Sequence, residues 1–241
     1  MGRFSRFVLC VILAAGSPAI AQDSPPLWMT LHEGDAPQSV ADKLSAMDEV
    51  KRARVRERRG ETTISINYRG DGIDLFGHSF EIVPQFDKGL TTVALRSESL
   101  CLSDAEEAGV DLQGALSTKY PDKVVDPPSS YERSRAVSQT SEDRPSLLSS
   151  AFSDGPVVVL LQEQITKRDA PPYPYGARGA VAALAGLAQS EYRTYYNQCP
   201  TRGAYRSRLI LVYMSREHFD ARLQEAGEEV EAETSDALDK L

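Results

Sequence analysis

Cysteine, histidine and tryptophan are scarce in this chain: three, three and one among 241 residues. The scarcity narrows the chemistry. A zinc centre draws three or four His, Cys or acidic ligands at close spacing. His32, His78 and His218 lie far apart in sequence, so no metal is expected. There is no C-x-x-C pair, no Gly-x-x-x-x-Gly-Lys-Ser/Thr phosphate loop and no dinucleotide fingerprint, so no cofactor is expected either. Positive charge is not in surplus: 27 basic against 35 acidic residues give a formal charge of −8. A wholesale nucleic-acid binder would be basic. Long apolar runs are also missing; the one near the N-terminus falls short of the roughly 20 residues that span a bilayer.

That short run has another meaning. Arg3 and Arg6 precede the apolar stretch Phe7 to Ala15, and Ala19-Ile20-Ala21 follows as an A-x-A cleavage site. Residues 1–21 therefore read as a signal peptide, with Cys10 leaving alongside it. No transmembrane segment is expected in the remainder. The expected location is the periplasm, with secretion to the medium as the second choice. Loss of Arg3 and Arg6 leaves 25 basic against 35 acidic residues, a charge of −10. Six of those acids crowd residues 228–239.

Cys101 and Cys199 remain. In an oxidising compartment two cysteines most simply form one disulfide. The alternative is a reactive Cys101 just ahead of a helix, where a thiolate is favoured.

Apolar periodicity supplies the fold class. Val40, Leu44 and Met47 fall at i, i+4 and i+7, after Asp35 as a capping residue with Gln38 three positions on. Ala108, Leu112, Leu116 and Tyr120 make a second helical stripe behind "SDAE", read as a capping box, and Pro121 stops it. "TTISINY", "IDLFGHSFEIVPQF", "LTTVALRS", "PVVVLLQEQI" and "RSRLILVYM" read as strands, with Gly77 as a bulge and Pro84 at an edge or end. "SYERSRAVSQ" reads as a short strand and "EDRPSLLSSAFSDG" as a short helix. An Ala-rich helix follows Gly176, and a last one carries Phe219, Leu223, Ala226 and Val230. The expectation is an α+β fold of antiparallel sheets packed against helices. It comprises two loosely related helix-plus-sheet halves, 22–125 and 126–241, joined by one disulfide.

Two surfaces stand out as candidate binding sites. In "KRARVRERRG", Arg52, Arg54, Arg56 and Arg58 alternate with other residues, so a strand would set all four on one face. Guanidinium groups so placed suit carboxylates and phosphates; a solvated sheet face is the plainer reading. Tyr173 and Tyr175 open a tyrosine-rich stretch that suits either a binding patch or a packed core. The tripeptide Arg69-Gly70-Asp71, followed by Gly72, reads as the turn of a hairpin.

The run "GDAPQSVADKL" resembles the opening of small envelope domains typified by the outer-membrane assembly lipoprotein BamE and the β-lactamase-inhibitor-protein repeat. Gly34, Val40 and Leu44 are the matching positions, and the resemblance covers residues 31–97. Ser45-Ala46-Met47 stands where that family commonly has Gly-x-Pro. The resemblance implies a helix on a small antiparallel sheet and a noncatalytic scaffold or inhibitor surface; it assigns no single binding residue. The resulting expectation is a noncatalytic binding or accessory module of the bacterial envelope, whose partner is an envelope protein or an anionic envelope component. An envelope hydrolase with a dispersed site and a purely structural envelope protein are the alternatives.

Overall fold

A computed structural model describes residues 25–141, 143–167, 199 and 205–226. The signal-like segment, Tyr173, Tyr175, the Ala-rich helix and residues beyond 226 lie outside them.

A short pair, β1 (Pro26–Trp28) and β2 (Leu31–His32), leads into α1 (Pro37–Ser45). Next come β3 (Val50–Arg58), β4 (Glu61–Tyr68), β5 (Ile73–Leu75), β6 (His78–Phe86) and β7 (Leu90–Ser97). Then follow α2 (Leu102–Lys119), β8 (Asp122–Val125), α3 (Ser130–Gln139), β9 (Ser146–Asp154), β10 (Val157–Lys167) and β11 (Tyr205–Ser215). A fourth helix, α4, is described over 216–226. The fold is α+β, and every strand pairing among the described residues is antiparallel.

One seven-stranded sheet dominates, in the order β5-β6-β7-β11-β10-β9-β8. It crosses the boundary at residue 125, because β11 pairs with β7 on one side and β10 on the other. Side chains alternate along strands, and both faces are used. Phe80, Ile82, Leu95, Leu209, Leu211, Val159, Leu161 and Phe152 point one way into the main core. There they join Val40 and Leu44 of α1 and Ala105, Ala108, Leu112 and Leu116 of α2. On the opposite face Ala151, Val158 and Met214 pack under Phe219 of α4. Leu223, expected on the same buried stripe, is 53% exposed. The disulfide Cys101–Cys199 is present and ties the N-cap of α2 to the chain that leads into β11.

Two elements differ from expectation, and one kind of signal explains both ends of the exchange. "SYERSRAVSQ" is α3, a helix, because Ser129 and Glu132 form a reciprocal capping box. Those two backbone bonds satisfy donors that a helix start otherwise leaves open. The Ser129 bonds also hold the Glu132 carboxyl below its usual pKa. The box read at Ser103–Glu106 does not form. α2 starts two residues earlier, Cys101 is its N-cap without a side-chain bond, and Ser103 Oγ turns to Asp104. Likewise Asp35 does not cap α1; it accepts the His32 N–H and binds Lys43 Nζ at 2.7 Å. "SLLSSAFSD" is the strand β9, held between β8 and β10. Its serines 146, 150 and 153 sit half-buried or buried in a sheet, not on a short helix.

Residues 69–72 are not a hairpin turn. β4 pairs with β3, and β5 with β6, so this segment carries the chain from one sheet to the other. Gly72 has φ +140°, and an added Cβ would lie 2.5 Å from the Phe80 carbonyl oxygen. Gly70 has open space around it. Gly72→Ala should therefore destabilise the protein by about 2–3 kcal/mol, against less than about 0.5 for Gly70→Ala. Urea unfolding of the two variants checks this; equal losses would show that the link, not the close approach, is limiting. The true hairpin turn is Phe76-Gly77. Both residues have positive φ, the type I′ arrangement, so Gly77 is a turn residue and not a bulge.

Pro84 sits where β6 has lost its neighbour, since β5 covers only His78 to Phe80. Ile82 N–H faces the same open edge and donates to Tyr68 Oη at 2.6 Å. Pro84, two residues on, points its nitrogen the same way and leaves no donor unpaired.

Candidate functional site

The arginine run forms one strand of a separate two-stranded ribbon, β3–β4. Arg59-Gly60 closes it, with φ +55° and +82°, the type I′ geometry whose twist matches the strands. A bulge at Lys51 decides which residues face water: Val50 pairs with Tyr68, but Arg52 pairs with Asn67. Without the extra residue, alternation from buried Val50 would turn Arg52 and Arg54 inward. With it, Ala53 and Val55 face the core beside Ile64, Ile66 and Tyr68. Arg52, Arg54, Arg56 and Arg58 are all exposed. They stand opposite Asn67, Ser65, Thr63 and Glu61, so the ribbon's outer face is polar throughout. At two residues per step the ladder runs about 20 Å.

Three contacts hold the ribbon in place. Ser45 Oγ, at the end of α1, accepts the Ala53 N–H at 2.9 Å and so covers the β3 edge. Tyr68 Oη accepts the Ile82 N–H, and Arg69 N–H donates to Glu49 O at 2.9 Å. Burial raises the Tyr68 pKa, against the lowering effect of the Ile82 bond. Among the described residues no acid forms an ion pair with any of the four ladder arginines. Residues 50–68 hold Lys51, Arg52, Arg54, Arg56, Arg58 and Arg59 against Glu57 and Glu61, a net +4 in a chain of −8.

Beside the ribbon lies a cleft of about 620 Å³ between the start of β4, the end of β6 and α4. Glu61, Asp87, His218, Arg222 and Glu225 line it. His218 Nε2 is buried and makes no hydrogen bond. Glu61 and Thr63 line the cleft and also face Arg58 and Arg56 across the ribbon, so cleft and ladder adjoin. No local pattern marks the cleft, because its residues come from positions 61–91 and 218–225.

A second charged cluster is committed to the fold. Arg133 of α3 donates Nε and Nη2 to the two oxygens of Glu163 on β10, at 2.9 and 2.8 Å. Its Nη1 donates to Glu106 of α2 at 2.6 Å, and Nη2 also to Leu102 O at 2.8 Å. Burial alone would lower the guanidinium pKa; the bonds and charge of Glu163, helped by Glu106, outweigh it and raise it. A recess of about 310 Å³ opens above this node, but every nitrogen of Arg133 is already engaged.

Tyr173 and Tyr175 lie outside the described residues, so the second candidate patch has no structural account. Among the described residues no helix is long and apolar enough to cross a membrane, and no group of three or more His, Cys, Asp or Glu is placed to hold a metal ion. In comparisons with known proteins, no family model, no curated protein and no solved structure matches this chain.

Proposed function

We propose that the chain is a noncatalytic binding or accessory module of the bacterial cell envelope, and that it contacts its partner through the arginine face of β3–β4. The observation that carries this reading is the ladder itself. Four exposed guanidinium groups share one face, and no described acid neutralises them. Exposed arginines are ordinarily paired or scattered, whereas a regular row suits a partner with repeating carboxylate or phosphate groups. The signal-like N-terminus and the resemblance of residues 31–97 to envelope domains support the location and the noncatalytic role.

The test uses two defined anions at low salt: polyglutamate, and phosphatidylglycerol vesicles with phosphatidylcholine vesicles as control. The native protein should bind at least one of the anionic probes. Arg54→Glu with Arg56→Glu changes four charges. At about 1 kcal/mol per basic residue near an anionic surface, binding should weaken at least about 100-fold. Unchanged binding in a variant that keeps its circular dichroism, or no binding by the native chain to either probe, would remove the proposal.

A further inference from the structure

The arginine face has a matching segment within the same chain. Residues 227–241 carry Glu228, Glu229, Glu231, Glu233, Asp236 and Asp239 against Lys240, a net −5. The ribbon carries +4. The two segments are nearly equal and opposite, and the chain as a whole is acidic. Among the described residues the ion-paired cations lie elsewhere, at Lys43, Arg96 and Arg133.

Position agrees with charge. The last described turns of α4 contribute Ala221, Arg222 and Glu225 to the lining of the cleft that Glu61 to Thr63 also line. Those residues lie across the ribbon from Arg58 and Arg56, one strand spacing of about 4.8 Å away. The described part of α4 therefore ends at the cleft that adjoins the ladder. Fifteen extended residues reach about 50 Å, and a helix of that length about 22 Å. Either covers a row of about 20 Å. The cleft itself sets Glu61, Asp87 and Glu225 against Arg222 and His218, so it offers an acidic segment little attraction. The ribbon face, at a net +4, is of the opposite sign to the segment.

We infer that residues 227–241 dock on the arginine face of β3–β4 and screen it until a stronger polyanion displaces them. The tether keeps the segment at an effective concentration in the millimolar range, so a weak contact suffices. The contact is electrostatic and exposed, and it loosens as salt shortens the Debye length to about 3 Å near 1 M. The docking stands on charge and placement; its consequence for binding rests on the function proposed above.

A nitroxide at Ser235→Cys in the full chain, with the Cys101–Cys199 disulfide intact, tests the docking without any ligand. Amide signals of β3 and β4 should broaden more than those of α3. The effect should vanish in Arg54→Glu with Arg56→Glu and fade in high salt. No preferential broadening, or broadening indifferent to the reversal, would overturn the inference. So would broadening that arises between labelled and unlabelled molecules in a mixture, since the occupant would then be a second copy. Screening is read separately with Glu228, Glu229, Glu231 and Glu233 changed together to Gln. A segment that occupies the face 80–90% of the time lowers apparent affinity about 5–10-fold, so this variant should bind polyglutamate that much more tightly; unchanged affinity would overturn the screening. If polyglutamate and the vesicles bind neither protein while the broadening is present, the proposed function fails and the docking stands. If a probe binds and the broadening is absent, the reverse holds.

Discussion

Replacing Cys101 and Cys199 together by alanine should lower the unfolding free energy of the oxidised protein by about 4–5 kcal/mol. The bond spans 98 residues, and the chain-entropy relation assigns about 4.7 kcal/mol to a loop of that size. Topology makes this loop worth closing. β11 must insert between β7 and β10, strands whose sequence positions lie far from one another. The bond joins the N-cap of α2, just past β7, to the chain just before β11. It therefore removes from the unfolded ensemble many of the arrangements in which β11 is distant from β7. Non-local pairings otherwise cost loop-closure entropy before they return any contact energy. Alanine is chosen because Cys101 and Cys199 are 8% and 2% exposed, and serine would add a buried hydroxyl to the loss. Guanidinium unfolding under non-reducing conditions measures the difference. A loss below about 1 kcal/mol, or free thiols in the folded native protein, would show that the bond does not constrain the chain. Burial of both sulfurs also predicts slow reduction of the native protein, governed by local opening.

How far the sequence disclosed this architecture depends on where the deciding signal lies. Stripes with a strong period were legible: Val40 and Leu44 on α1, and Ala108, Leu112, Leu116 and Tyr120 on α2, are all buried. The alternating apolar strands β4, β7, β10 and β11 were legible for the same reason. α3 and β9 were not, because both are short and polar and neither has a clean apolar period. The decisive information in α3 was Ser129-x-x-Glu132, which fixes a helix start through two backbone bonds. The same pattern at Ser103–Glu106 stands inside α2, where Glu106 reaches Arg133 instead. A capping pattern marks a helix start only where the preceding residue can leave the helical conformation, and four letters do not contain that.

The candidate site divides the same way. Alternation alone placed Arg52, Arg54, Arg56 and Arg58 on one face, and they are there. The bulge at Lys51 that turns this face outward was not legible, since a bulge shows in pairing with a partner strand and not in one strand's letters. The sheet crossing at residues 69–72 escaped for a related reason: Gly-rich turns look alike whether they reverse a hairpin or pass between sheets. The cleft holding His218 needs elements separated by more than a hundred residues, so no local pattern announces it.

The Arg133 node gives the second large effect, and its sign depends on what is removed with it. Arg133→Met should cost about 3 kcal/mol. The variant leaves Glu163, whose side chain is 12% exposed, with the Ser207 hydroxyl at 2.8 Å as its remaining hydrogen-bond donor. A half-paired buried charge of this kind typically costs about 3–5 kcal/mol, and the value falls at the lower end because Arg133 retains 16% exposure. Glu106, 57% exposed, is the outer arm; Glu106→Ala should cost less than about 1 kcal/mol, as exposed pairs do. Removing both inner partners is a different experiment. In Arg133→Met with Glu163→Leu no buried charge is stranded, and apolar replacements of similar volume meet Leu102, Val137 and Leu148, which already pack nearby. The buried Ser207 hydroxyl loses its acceptor, so the double variant should lie within about 1–2 kcal/mol of the native protein. A double-mutant cycle in urea, with Glu163→Leu measured alone as its fourth corner, then gives a coupling of at least about 1 kcal/mol between residues 30 positions apart. If the two losses simply add, Arg133 acts through packing of its stem, and the node does not staple α3 to β10. If Arg133→Met costs less than about 1 kcal/mol, water already solvates the pair, and the recess above it is deeper than its 310 Å³ suggests.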